Sequence, residues 1–399
     1  MKIRKAYRYR LKANAKQVSF FNNQAGCCRF VWNKALSIQK QRFDAGEKLL
    51  KLSELSKLLT VWKREEGAEF LSIAQAQSMQ QVLRNLDRAV VESFNKNTKK
   101  RFPRLKKKGR CRDSFRYPQD VRINCNMVFL PKIGWIRFTK SREIEGKIKN
   151  ATVSRSGEHW YVSIQTEIDI PNPVHPSTSS VGIDLGITRF ATLSDGSFFS
   201  PLNSFKELEN KLSNEQRKLS RKVKFSANWN KQKKKITKIY GKNADSRKDY
   251  LHKASTTISK NHAVVCVEDL KISNMSKSAS GTKDVPGKNV KAKSGLNKAI
   301  LDQGWYEFRR QLEYKLLWSG GRLIKVPPQN TSRTCPECGC ISKENRKTQA
   351  VFMCIECGYK ENADYVAAIN IKRAGHARLA CEVSGAAMPP ATGTCTISV

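Results

Sequence analysis

Two Cys-x-x-Cys knuckles, Cys335-Pro-Glu-Cys338 and Cys354-Ile-Glu-Cys357, stand 15 residues apart near the C-terminal end. That spacing lets four thiolates close on one tetrahedral Zn²⁺, which ties two distant turns together. Gly339 and Gly358 follow the knuckles, where a turn aims backbone N–H groups at the sulfurs. Cys340 is an extra thiol beside the first pair, and knuckle geometry favours Cys338 over it. A four-thiolate shell has no open position, so this zinc is structural. The rest of the twelve cysteines are scattered: Cys27 and Cys28 are adjacent, and Cys266 lies inside an apolar run. The pattern is that of a reducing compartment with one metal site, not of a secreted disulfide framework.

Charge narrows the partner. The 399 residues carry 75 Lys+Arg against 34 Asp+Glu, a net +41. Self-repulsion of that size destabilises a compact state unless a polyanion neutralises it. A phosphate backbone does so with release of counterions, and nucleic acid fits better than an anionic membrane surface or charge kept for solubility. No apolar run approaches the roughly 20 residues of a membrane span. No apolar core follows the basic Met1–Lys16 segment, so it does not read as a secretory signal.

The length suits about two or three domains. IRKAYRYRL alternates as a strand. Val18, Phe21, Ala25, Cys28, Trp32 and Ala35 recur at helical spacing, as do Met79, Val82, Leu86, Val90 and Phe94, with a further helix over Leu49–Trp62. A basic run, Lys99–Arg110, follows and reads as a backbone-binding surface. The period then changes to two, with one hairpin turning near Pro131–Gly134 and another at Ser156-Gly157. Pro171–Ser180 is a linker. VGIDLGITRFATLSDGSFF predicts three short strands, residues 203–262 a long helical region that is very basic at Lys231–Lys235, and AVVCVE a buried strand. Residues 273–295 predict a mobile loop, Lys298–Trp318 a helix, Arg322–Val326 a strand and Asp364–Ala374 a helix. The tail after Gly375 lacks periodicity and is expected to be poorly ordered.

Three carboxylates stand out from this basic background. Asp184 interrupts the apolar strand VGIDLG, and Glu268 ends AVVCVE. A carboxylate in such a place is costly unless it is paired or binds metal. Asp364 opens the last helix, where it could also serve as an N-cap. In phosphodiester hydrolysis two divalent cations roughly 4 Å apart can clamp the attacking and leaving oxygens. Mg²⁺, or Mn²⁺ in its place, takes such carboxylate ligands. Asp184 would bridge the ions, flanked by Glu268 and Asp364. Aspartate on a first strand, glutamate on a later strand and aspartate opening a late helix is the RuvC/RNase H order. A strand-transferring transposase would end on a helical glutamate.

Taken together, GIDLG, VVCVEDL, TSRTCPECG with CIECG, and NADYVAAINIKRAG resemble the TnpB family of insertion-sequence proteins, relatives of the type V CRISPR effectors. Tyr365-Val366 departs from the family, which more often has asparagine before Ala-Ala. The resemblance covers most of the chain. It implies a multidomain α+β protein: a RuvC/RNase H-like nuclease domain with an inserted zinc ribbon, and an N-terminal β-barrel-like wedge domain with an inserted helical recognition domain. The wedge would comprise 1–14 and 114–178 (with the linker), the helical insertion 15–113, the nuclease 179–334 and 358–375, the zinc module 335–357, and the tail 376–399. The implied activity is RNA-guided cleavage of double-stranded DNA beside a short adjacent motif, with one carboxylate site cutting both strands and the loop at 273–295 as a lid. The implied partners are a guide RNA from the transposon end and a DNA target, in a monomeric ribonucleoprotein of the bacterial or archaeal cytoplasm. A compact type V effector would share this chemistry, whereas a DNA-binding regulator would lack it.

Overall fold

The computed structural model describes residues 1–97, 100–282 and 284–384. Lys99, at the head of the first basic run, lies outside them. The chain divides into two compact units, Met1–Pro171 and Asn172–Val399, with the division inside the expected linker.

The first unit begins with β1, Lys2–Arg10, whose alternation buries Ile3, Tyr7 and Tyr9. Helix α1, Ala15–Asp44, starts at a reciprocal capping box: Asn14 accepts from the Gln17 N–H, and the Gln17 side chain accepts from the Asn14 N–H. Then come α2 (Leu52–Trp62), α3 (Phe70–Ile73), α4 (Ala76–Phe94) and six strands, β2 (Ser114–Tyr117), β3 (Arg122–Asn124), β4 (Met127–Leu130), β5 (Gly134–Arg137), β6 (Lys147–Ser156) and β7 (His159–Asp169). The order β1-β7-β6-β2 makes one antiparallel sheet and β3-β4-β5 another. Pairing of Ser156 with His159 leaves Gly157 and Glu158 in the hairpin turn, one residue beyond the expected position. These strands do not form a single closed ladder. The two sheets meet at the isolated bridge Leu11–Phe138. The inserted helices share the sheets' core, because Phe21 of α1 packs on Phe115 and Trp160 at ring-centroid distances of 6.0 and 5.2 Å.

In the second unit, β8 (Ser180–Asp184), β9 (Ala191–Leu193) and β10 (Phe198–Phe199) form a meander. Helices α5 (Ser204–Ser220) and α6 (Ala227–Asn261) lead to β11 (Val264–Glu268). Next are α7 (Ile272–Met275), α8 (Val290–Gln303), α9 (Trp305–Ser319), β12 (Arg322–Val326), the small strands β13 (Val351–Met353) and β14 (Lys360–Asn362), and α10 (Ala363–Ser384). The main sheet has the order β10-β9-β8-β11-β12. Its first three strands are antiparallel neighbours, and β8, β11 and β12 run parallel. Val181, Ile183, Val265 and Val267 pack with α6 and α9, while Cys266 and Ile324 pack with Ile371 of α10. Both faces of β8 and β11 are therefore covered, which explains their nearly unbroken apolar sequence.

Four expectations are corrected. The helical region 203–262 breaks at 221–226 into α5 and α6, and Lys298–Trp318 breaks at Gly304, whose φ of +71° ends one helix and begins the next. The segment 273–295 is not a loop throughout: α7 ends in it and α8 starts at Val290, while Lys283 lies outside the described residues. The final helix continues past Gly375 to Ser384, so residues 376–384 are not an unstructured tail; 385–399 lie outside the described residues. Among the described residues no helix is long and apolar enough to cross a membrane.

Glycine sets how closely α10 approaches the sheet. A Cβ on Gly182 would stand 2.1 Å from the Ala368 carbonyl oxygen and 2.6 Å from the Lys372 nitrogen. The close approach at this glycine is to the helix backbone. Gly182→Ala should cost about 1–3 kcal/mol by forcing α10 away. Denaturant unfolding should record the loss, whereas Gly241→Ala in α6, where an added Cβ meets nothing within 4 Å, should leave stability unchanged or raised.

Candidate active site and cysteine centre

Asp184 is the last residue of β8 and Glu268 the last of β11, and the parallel register that pairs Ile183 with Val267 brings these two ends side by side. Ligand sites in open α/β sheets gather at the carboxyl ends of strands. Asp364 sits in the first turn of α10, the helix laid across β8. It is not the helix cap. The Asn362 side chain accepts from the Asp364 and Tyr365 N–H groups at 3.1 and 3.3 Å, so the Asp364 carboxylate is not used as the cap.

The three carboxylates act on one another. Burial pushes the Asp184 carboxyl up to about 7, and the charges of Glu268 and Asp364 add to the rise. Burial also raises Glu268, against a hydrogen bond from Thr331. Two neighbours relieve the site. The Thr331 hydroxyl donates to Glu268 Oε1 at 2.6 Å, and the Arg346 guanidinium lies 3.2 Å from Asp364 Oδ1 while lowering both Asp184 and Glu268. Thr331 is held in turn by Asn370 of α10, whose side-chain NH₂ donates to the Thr331 and Thr334 carbonyls at 2.9 and 2.7 Å. Asp269, adjacent to Glu268, pairs instead with Arg309 at 2.7 Å and stands outside this set.

Thr331, Arg346 and Asn370 were missed in the sequence as neighbours of the carboxylates. Asn370 carried a usable signal, as a buried amide among Ala367, Ala368 and Ile371 must find partners. Arg346 is one cation among many and carried none.

The cysteines meet as their spacing requires. Sγ atoms of Cys335 and Cys357 are 3.6 Å apart, those of Cys338 and Cys354 3.5 Å, and all four lie within 4.8 Å of one another. Tetrahedral Zn–S bonds imply sulfur separations of about 3.8 Å. Gly339 and Gly358 take φ of +78° and +73°, which lets each knuckle turn back on its sulfurs. The Cys357 and Glu356 backbone N–H groups hold the Cys354 thiol down to about 6, toward the thiolate that a metal needs. Cys340 lies outside the cluster. The buried Asn345 links the knuckles, donating to the Cys340 carbonyl at 3.1 Å and accepting from the Ile355 N–H at 3.1 Å.

Among the described residues only the four cysteines are drawn together as tightly as a single-ion cage. An all-oxygen set whose repulsion Arg346 relieves only in part fits hard divalent cations.

Family profiles match three stretches of the chain. A "Probable transposase" profile covers residues 163–279, with Asp184 and Glu268, and a "Cas12f1-like, TNB domain" profile covers 305–371, with the cysteines and Asp364. A "Helix-turn-helix domain" profile covers 1–48, where the structure has one strand and one 30-residue helix instead. The chain is 50% identical over 383 residues to the "Putative RNA-guided DNA endonuclease InsQ" of Escherichia coli (strain K12), which spans 96% of this chain and 94% of that protein. It is 32% identical over 385 residues to the "Putative RNA-guided DNA endonuclease" of Streptomyces pristinaespiralis, at 95% and 91% coverage. A solved structure of "the mini-RNA-guided endonuclease CRISPR-Cas_phi3" superposes with a TM-score of 0.47 at 12% identity, over 94% of this chain and 92% of that one. Near-full-length identity of this degree, joined to the two profiles that hold the carboxylates and the cysteines, places the chain in the TnpB family, the IS605 OrfB proteins related to Cas12f.

Proposed function

We propose that this protein is an RNA-guided endonuclease that cuts double-stranded DNA beside a short adjacent motif, with both strands cleaved in one RuvC-like site. The observation that carries the reading is the convergence of Asp184 and Glu268 at neighbouring parallel strand ends with Asp364 in the first turn of the helix that crosses them. The mixed strand order, three antiparallel neighbours followed by two parallel ones, fits an RNase H-like nuclease. The names of the two relatives support RNA guidance, and the net +41 supplies the attraction for RNA and DNA together. In this reading the sheets of the first unit form the wedge, its helices the recognition insertion, and residues 335–357 the target-strand module.

Asp184, Glu268 and Asp364 would hold two Mg²⁺ ions. Such ions, when bound, activate a water and stabilise charge on the leaving oxygen. The chain's own part is to fix the ligands. Thr331 orients Glu268 by donating to one of its oxygens, which leaves the other free. Arg346 offsets part of the carboxylate repulsion. The four cysteines would hold a structural Zn²⁺, whose closed shell keeps the segment carrying Arg346 beside the carboxylates.

Replacing Asp184, Glu268 or Asp364 with Ala should each slow Mg²⁺-dependent cleavage by at least about a hundredfold. RNA-directed binding to the target should persist. A variant that cuts at the wild-type rate removes that residue from the site. Elemental analysis of reduced protein should find one zinc per chain, lost in Cys354→Ser and retained in Cys340→Ser. Zinc-free wild-type protein would contradict the cysteine assignment.

A further inference from the structure

The turn that separates α5 from α6 holds an aromatic side chain under conditions that folding alone does not reward. The Ser226 N–H donates to the Val223 carbonyl at 3.2 Å and closes a four-residue turn in which Phe225 is the third residue, with φ of +71°. Turns with positive φ at that position ordinarily use Gly or Asn. A bulky side chain there is strained, and Phe225 gains little burial in return, since 70% of it is exposed and Val223 is 79% exposed.

The turn is nevertheless well fixed. Ser226 caps α6 by accepting from the Trp229 N–H at 3.1 Å, and the Asn230 side chain donates to the Phe225 carbonyl at 3.1 Å. The Phe225 and Trp229 rings pack at 5.4 Å with a 58° tilt. Lys224 Nζ stands 5.4 Å from the Phe225 ring and Lys233 Nζ 5.0 Å from the Trp229 ring. Between residues 216 and 244 the chain has eleven lysines and arginines and no aspartate or glutamate.

A strained, displayed aromatic edge inside an uninterrupted basic hairpin suits one kind of partner. We propose that the α5–α6 tip binds RNA by stacking an unpaired nucleobase on Phe225 and Trp229, with the surrounding lysines on the flanking phosphates. The charge selects a polyanion, and the rings select a base that is not already stacked in a duplex. Structured RNA presents such bases in its loops, bulges and ends. The inference rests on the RNA-binding reading above and locates a contact within it.

Ultraviolet cross-linking of the full chain with its co-purified RNA, followed by mass spectrometry, should place a ribonucleotide adduct on Phe225 or Trp229. Phe225→Gly separates the contact from the fold, because glycine relieves the strain. Its thermal midpoint should equal or exceed the wild-type value, yet it should bind a hairpin RNA with a single-stranded overhang about tenfold more weakly. Phe225→Trp should bind as the wild type does, and the overhang should add nothing to the affinity of Phe225→Gly relative to a blunt hairpin. If wild-type protein binds the RNA and Phe225→Gly binds it equally well, or if adducts at the tip form only with DNA, the tip assignment is overturned and RNA guidance stands. A wild-type chain that binds no RNA overturns both.

Discussion

The burial of Asp184 and Glu268 at neighbouring strand ends, with Asp364 close enough to add its charge, is the constraint around which the second unit is arranged. A chain that places three carboxylates at the ends of two apolar strands and the start of a packed helix accepts a local electrostatic cost, visible in the raised proton affinity of Asp184. That cost persists only because the surrounding structure fixes the groups. The β8–β11 register sets two of them, and the contact of Gly182 with the α10 backbone sets the third. Cations are the natural relief, and Arg346 already provides part of it from within the chain. Divalent ions held there, as proposed, would stabilise the arrangement that receives them.

The cysteine module joins this arrangement from outside the sheet. Thr331 lies just ahead of the first knuckle and Arg346 between the two, so the segment that the sulfurs tie down also carries two partners of the carboxylates. Asn370 locks the other side by bonding the backbone at Thr331 and Thr334 from α10. A metal closed within the four sulfurs would thus help to set how the proposed carboxylate site is formed.

Asp184 and Glu268 are legible in the sequence because a charge in an apolar strand has few structural uses, and the cysteines because knuckle spacing has few alternatives. Asp364 was ambiguous between cap and ligand, and the cap proved to be Asn362, two residues earlier. Arg346 was hidden by the same basic composition that pointed to nucleic acid. The long helical stretches read correctly as helix but not at their breaks: Phe225 occupies a turn position that local propensity reserves for glycine, whereas Gly304 is a glycine at such a position and was passed over because a lone glycine is tolerated within a helix. The start of α8 at Val290 was obscured by its Lys, Ser and Gly content, and the extension of α10 to Ser384 by the glycine at 375, which packs against Cys266 instead of ending the helix.

Iron-directed backbone cleavage tests the metal site most directly. Fe²⁺ bound in place of Mg²⁺ generates hydroxyl radicals with ascorbate and peroxide, and these cut the polypeptide beside the ion. A metal site at the three carboxylates predicts cuts near Asp184, Glu268 and Asp364 together, suppressed by excess Mg²⁺ and absent in Asp184→Ala. Cuts confined to another part of the chain, or an unchanged pattern in Asp184→Ala, would contradict it.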